Sequence, residues 1–322
     1  MKPYVRDRED KNNKMVHSSS VCYHNNALYL AFYCGPHEGW EERVILLKKT
    51  DDEWVKVLEL PLGSGNPVLI TINSNLFIAY SQFKGGTEDI KNVPTLWTLC
   101  DTYIAHVVGK SYKNVAFYQN LCPRCNPVYF NNSCIVSLYD ETMHTATNII
   151  FKTDEADSNR VQLGRHSFIG RQKEMHIQPS LYINNGGVIA FEARNHSRYS
   201  NYSIVGSYQD TISGSYWDVE YDMNRYNFNE SVVLFNYHKK IYRIYGNTAG
   251  RTDLMLQEEN NPNFNPIKLN ELNRGCYPNA CKLPEDQFMV CFTEYHGMLS
   301  WRTQITLKTF DENCDLIKTE QI

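Results

Sequence analysis

The stretch Asn66-Pro67-Val68-Leu69-Ile70-Thr71-Ile72-Asn73-Ser74-Asn75-Leu76-Phe77-Ile78-Ala79-Tyr80 decides the fold. Two apolar, β-branched runs flank a short polar break, and that pattern reads as a β-hairpin. The same unit recurs five more times. It spans residues 20–33, turning at Asn25-Asn26, and residues 126–140, turning at Asn131-Asn132. It returns over 178–194 around Asn184-Asn185-Gly186-Gly187, over 230–245 around Tyr237-His238-Lys239, and over 277–295 around Pro284-Glu285-Asp286. The six turns are spaced by roughly 50 residues and the units fill the chain. After most hairpins come two further strand-like runs, such as Arg43–Lys49 then Trp54–Leu60, and Tyr202–Tyr208 then Trp217–Tyr221. Four strands per repeat of this length predict a β-propeller blade, and six blades predict one closed ring.

The expected fold is therefore all-β: a single six-bladed propeller domain over residues 1–322 with four antiparallel strands per blade. The expected blades run 16–60, 64–118, 124–168, 176–222, 230–272 and 275–320. No segment sustains helical apolar spacing over three turns. One end of the chain is expected to complete the blade begun by the other, with 315–320 as an outer strand of blade 6 or blade 1.

Composition narrows the function. The 322 residues carry 32 Lys+Arg against 36 Asp+Glu, a formal net charge of −4, so no nucleic-acid partner relying on an overall positive field is expected. With 22 Tyr, 14 Phe and 5 Trp the chain is too aromatic to remain disordered. No apolar run reaches the length of a membrane span, and the polar N-terminal residues show no leader, so a cytoplasmic protein without a membrane partner is expected. The ten Cys then read as reduced, packed thiols. Cys122-Pro123-Arg124-Cys125 lacks the second pair a zinc site needs, and no phosphate-binding loop or dinucleotide fingerprint is present. No cofactor and no metal are expected.

Propellers bind ligands where their inner strands converge. Residues that start a first strand or follow a second strand face that region. This selects His17, Asn66, Arg124, Asn126, Asp140, Glu141, Gln178, Arg194, Arg251, Tyr277, Glu294 and Tyr295. Guanidinium groups, acids and a phenol together suit an anionic sugar and its cleavage.

Short motifs in blade order resemble the sialidase-like family of Asp-box (BNR-repeat) propellers. They are Gly35-Pro36-His37-Glu38-Gly39, Asn126-Pro127 with Leu138-Tyr139-Asp140-Glu141, Gln178-Pro179-Ser180-Leu181 with Arg194-Asn195, Asn247-x-x-Gly250-Arg251-x-x-Leu254, and Tyr277-Pro278 with Thr293-Glu294-Tyr295. Lys49–Trp54 and Ser207–Trp217 look like degenerate Asp boxes. The resemblance implies a glycoside hydrolase acting on an acidic or decorated sugar at the channel mouth. It implies Tyr277 as nucleophile, Glu192 as its activator, Glu38 as acid/base, and Arg194 and Arg251 as two of three guanidinia on the substrate carboxylate. His17, Arg124, Asn126, Asp140, Gln178 and Glu294 complete the expected substrate-binding set. The family's first-blade Arg has no counterpart in Val16-His17-Ser18-Ser19-Ser20, leaving Arg6 or Arg124 to substitute. Two alternatives stand beside hydrolysis: a catalytically silent propeller binding a glycan or another anionic small ligand, and a protein-interaction propeller docking through loops 82–97 and 195–201.

Overall fold

The computed structural model describes residues 4, 14–36, 38–39, 41–85, 97–143, 145–153, 161–169, 176–195, 202–211, 214–226, 230–248, 250–297 and 302–322. They form a six-bladed β-propeller of antiparallel sheets. Blade 1 comprises Met15–His24, Ala27–Gly35, Arg43–Thr50 and Glu53–Glu59. Blade 2 comprises Ser64–Ile72, Asn75–Phe83, Cys100–Val108 and Ser111–Tyr118. Blade 3 pairs Val128–Phe130, Ser133–Asp140, Thr145–Thr153 and Val161–Ile169, with the short Cys122–Pro123 also on its second strand. Blade 4 comprises His176–Ile183, Ile189–Asn195, Tyr202–Thr211 and Gly214–Tyr226. Blade 5 comprises Val233–Tyr237, Lys240–Gly246, Leu254–Glu258 and Ile267–Lys268. Blade 6 comprises Arg274–Leu283, Gln287–Tyr295, Thr303–Asp311 and Leu316–Gln321.

The hairpin turns follow from their residues. Asn25-Asn26 and Asn131-Asn132 are two-residue loops with both φ positive, the geometry that matches strand twist and that Asn tolerates. His238-Lys239 and Asp51-Asp52 adopt the same form without Asn or Gly. In the second of these, the Lys49–Trp54 turn, Trp54 is buried and Lys49 lies over its ring.

The core lies between blades. Five apolar clusters of 12 to 14 buried residues pack one blade against the next. The contact of blades 4 and 5 is the exception among the described residues, with a cluster of three: Val232, Leu234 and Ile241.

The C-terminal strand takes one of its two expected places: 316–321 is the outer strand of blade 6. Among the described residues every blade is built from consecutive strands, and Tyr4 N donates to Trp54 O on the outer strand of blade 1 (2.5 Å). Side chains also close the seam. Thr303 Oγ1 accepts from Val16 N (2.8 Å) and donates to Val16 O (2.6 Å). Ser18 N donates to Thr293 Oγ1 (3.2 Å) and Val21 N to Asn279 Oδ1 (3.1 Å). An apolar cluster including Val16, Phe32, Cys291 and Ile305 fills the same interface. We expect Thr303→Val to leave a buried amide and carbonyl unpaired and to cost about 1–3 kcal/mol in urea unfolding, with Thr303→Ser near wild type. Equal stability of all three proteins would show that the seam does not depend on this pair.

Candidate functional site

Four inner strands share a local device near their start. Ser18, Asn66, Gln178 and Tyr277 have φ of 54°, 45°, 57° and 52°, and each sits where its strand slips register against the second strand. Three of the four precede proline. A non-glycine residue in this region is strained, most of all an aromatic one. The kink is a β-bulge that re-aims side chains.

Tyr277 is the centre of the resulting cluster. The Arg124, Arg251 and Arg194 guanidinia lie 4.7, 5.6 and 5.9 Å from its ring centroid. The His17 ring meets it edge-on at 4.5 Å and also contacts Tyr33 and Tyr295. Glu38 reaches within 3.9 Å of His17 Nε2 from the rim, 29% exposed. The structure thus brings together His17, Glu38, Arg124, Arg194, Arg251 and Tyr277.

Arg124 stands out. It is 1% exposed, and its Nε, Nη1 and Nη2 have no hydrogen-bond partner among the described residues. Buried charges are normally paired, so a guanidinium left against a phenol ring is an exception among the described residues.

Other expected site residues hold the scaffold. The Glu192 carboxylate is fully buried, accepts Arg243 Nε (2.9 Å) and Nη2 (2.5 Å) and Arg225 Nη1 (2.9 Å), and bonds Ser203. It is therefore not brought to Tyr277. The carboxylate there is Glu230, which accepts the Tyr277 amide at 3.2 Å and pairs with Arg251 Nε at 3.0 Å. Asn126 bonds both the N–H and the C=O of Ala280 in the opposite blade, bridging the channel. Gln178 donates to the Tyr139 hydroxyl and accepts from Arg194 and Ser231, positioning Arg194. Asp140 caps the turn at Thr142 and Met143. Glu294 accepts the Glu271 and Leu272 amides and bonds Gln304 and Thr306.

Glu230, Arg274, Tyr33 and Glu42 were missed. Arg274 lies over the Tyr295 ring at 4.8 Å. Glu230 and Arg274 meet the positional criterion used on the sequence, one preceding and one beginning a first strand, whereas Tyr33 lies within the second strand of blade 1 and Glu42 directly before its third, outside that criterion. Glu42 is buried, with Oε1 accepting the Gly39 amide at 2.6 Å and Oε2 unpartnered among the described residues. It anchors the loop that carries Glu38.

Burial sets the protonation states. It pushes Tyr277 up, so the phenol is protonated at neutral pH, although Arg194 and Arg251 oppose the shift. Burial raises Glu38 against Arg251, Arg194 and Arg274, and raises Glu42 well above the carboxylate range. Burial and the Arg124 charge hold His17 neutral. The Cys122 and Cys125 thiols are also raised and form no disulfide.

The groups among the described residues that could hold a metal ion are His238, Asp286 and Glu312, all exposed on hairpin turns. Most of loops 82–97 and 195–201 lies outside the described residues, as do the side chains of the second Asp-box segment beyond Ser207. No helix among the described residues is long and apolar enough to cross a membrane.

No family model and no curated protein matches the sequence. Solved structures do match. Penicillium chrysogenum α-L-arabinanase, complexed with arabinobiose, superposes with a TM-score of 0.58 at 11% identity, covering 94% of this chain and 95% of that one. The SapL1 lectin, in complex with α-methyl fucoside, gives 0.58 at 11%, covering 95% and 96%. Trypanosoma rangeli sialidase gives 0.58 at 9%, covering 92% of this chain, which spans about half (54%) of the sialidase chain. At these identities the likeness is one of fold.

Because folded Glu42 holds its proton more tightly than the unfolded chain does, its stabilising contribution is complete below the ordinary carboxylate range and is lost as pH rises toward its raised value. Glu38, Glu141 and Glu259 have the same sign in wild type and variant. We expect urea unfolding of Glu42→Gln to show a flatter fall in stability with rising pH than wild type. Identical slopes would mean that Glu42 ionises freely in the fold.

Proposed function

We propose that this propeller is a glycoside hydrolase that takes an acidic sugar at the channel mouth. The observation that carries the reading is the buried Arg124 guanidinium, without a hydrogen-bond partner among the described residues, packed with Arg194 and Arg251 around the Tyr277 ring. A carboxylate there would accept charge-assisted, forked hydrogen bonds in a site shielded from water. The likeness of fold to an arabinanase, a sialidase and a lectin supports a carbohydrate ligand.

The chemistry follows from the groups at hand. A neutral phenol can approach an anionic sugar without charge repulsion. Tyr277 Oη forms a bond to the anomeric carbon while the bond to the leaving oxygen breaks. The phenolic proton passes to Glu230, held beside Tyr277 by Arg251 and the Tyr277 amide. Glu38, whose burial favours the acid, protonates the leaving oxygen. In the second half the Glu38 carboxylate takes a proton from water, which attacks the anomeric carbon and releases Tyr277, reprotonated from Glu230. Neutral His17 stands edge-on between Glu38 and the three tyrosines, where the resemblance would place an arginine.

The test is hydrolysis of a panel of aryl glycosides that includes aryl sialosides and uronides. We expect turnover of an acidic member, its loss in Tyr277→Phe, and a rise in KM on the order of 100-fold in Arg124→Met. The latter variant should also be about 1–4 kcal/mol more stable to urea, because it removes an uncompensated buried charge. Binding of acidic sugars without turnover, abolished in Arg124→Met, would replace hydrolysis by the silent-binder reading. No acidic sugar bound or cleaved would overturn both.

A further inference from the structure

We propose that the cleft between blades 4 and 5 is a second ligand site, one that binds a neutral monosaccharide unit. The first sign is an interface that departs from its five counterparts. Where those are sealed by 12 to 14 buried apolar residues, this one has three among the described residues and a layer of ions. Arg225 pairs with Glu192 (2.9 Å), with Asp222 (3.0 Å) and with Glu259, while Arg243 takes the other side of Glu192. A buried ion network is a poor way to gain stability compared with apolar packing. Its retention here leaves a cavity of about 310 Å³ lined by Tyr182, Asn185, Arg225, Glu259 and Asn260, within the usual range of small-ligand pockets, about 300–1,000 Å³.

The wall chemistry selects the ligand. Among the described residues Arg225 uses Nε, Nη1 and Nη2 once each on carboxylates, which leaves two of its five N–H groups for a ligand. Glu259 gives one oxygen to Arg225 and, among the described residues, keeps the other as an acceptor. Asn185 and Asn260 are exposed amides, each with donors and an acceptor, and Tyr182 adds a ring and a hydroxyl to the lining. The cleft therefore offers both donors and acceptors. A hydroxyl both donates and accepts, so a polyol matches this set. An anion does not, because three carboxylates already compensate the guanidinium.

The cleft is also preorganised. The Asn184 side chain accepts the Gly186 and Val188 amides (both 3.0 Å), and Asn184 and Val188 close the loop through their backbones (2.9 Å). The loop is set before a ligand arrives, which limits the ordering cost of binding. Gly186 leaves the cleft free of a side chain at its turn. None of these residues belongs to the Tyr277 cluster, so the inference stands apart from the hydrolase reading.

The test uses the full chain with methyl glycosides of galactose, glucose, mannose and fucose, and with glucuronate and spermidine as charged comparators. Saturation-transfer NMR and calorimetric titration are the readouts. We expect at least one neutral glycoside to bind, with affinity lowered roughly tenfold or more in Asn185→Ala/Asn260→Ala and in Glu259→Gln, and unchanged in Tyr277→Phe. The asparagines are exposed, so the double variant keeps the fold. Silence of every neutral glycoside, binding of spermidine alone, or neutral binding that survives the cleft variants and disappears in Tyr277→Phe would each overturn the proposal.

Discussion

Six inner strands must converge on one axis without filling it. Four of them meet that constraint by leaving the β region for a single residue: Ser18, Asn66, Gln178 and Tyr277. Below the kink each strand lies flat against its neighbours. Ser20 and Ser180 there accept the Leu69 and Leu234 amides of the next blade at 2.9 Å. At and above the kink the strand turns its side chains toward the mouth. A left-handed residue costs roughly 1–2 kcal/mol, more than its own contacts would justify in an ordinary strand. Here the ladders and inter-blade bonds around it hold it in place, and Tyr277 gains its orientation from that arrangement.

Two polar regions of opposite character result. At the mouth the guanidinia of Arg124, Arg194 and Arg251 surround one phenol, and the nearby carboxyl of Glu38 is shifted toward its neutral acid. Between blades 4 and 5 the guanidinia are matched or outnumbered by carboxylates, and Glu192 is held ionised by Arg243 and Arg225 against its burial. The first region is dominated by guanidinia and the second is balanced by carboxylates. The Asn126 side chain, bridging the channel to Ala280, marks the floor beneath the mouth, while the space on its other side is lined by residues of all six inner strands.

The strand pattern was legible because it is local. Alternating apolar residues and Asn-rich turns define a hairpin without reference to the rest of the chain, and Asn25-Asn26 and Asn131-Asn132 take the backbone form their side chains favour. The kinks were not legible: three precede proline, at Asn66, Gln178 and Tyr277, but Ser18 does not, and Asn126-Pro127 shows no positive φ. Site membership was legible only as far as repeat phase allows. It picked Arg124, Arg194, Arg251 and Tyr277, which the structure gathers into one cluster, and it equally admitted Asp140 and Glu294, whose oxygens accept backbone amides. Glu192 shows the limit of periodicity. Two residues along a strand share a face but lie about 6.6 Å apart, so Arg194 reaches the mouth while Glu192 sits one level deeper, opposite Arg243.

The sequence by itself determined the number of blades, the turns, the strands and the family resemblance, because each rests on neighbours within a few residues or on a repeat read along the chain. Only the tertiary structure decided which side chains close the ring, with Thr303 bonded to Val16 across the seam. It alone put Glu230 rather than Glu192 beside Tyr277, left Arg124 buried without a partner among the described residues, and opened a polar cleft between two blades. Those facts depend on side chains that meet from different blades, up to 287 positions apart, and no local pattern encodes which face of one blade will oppose which charge on the next.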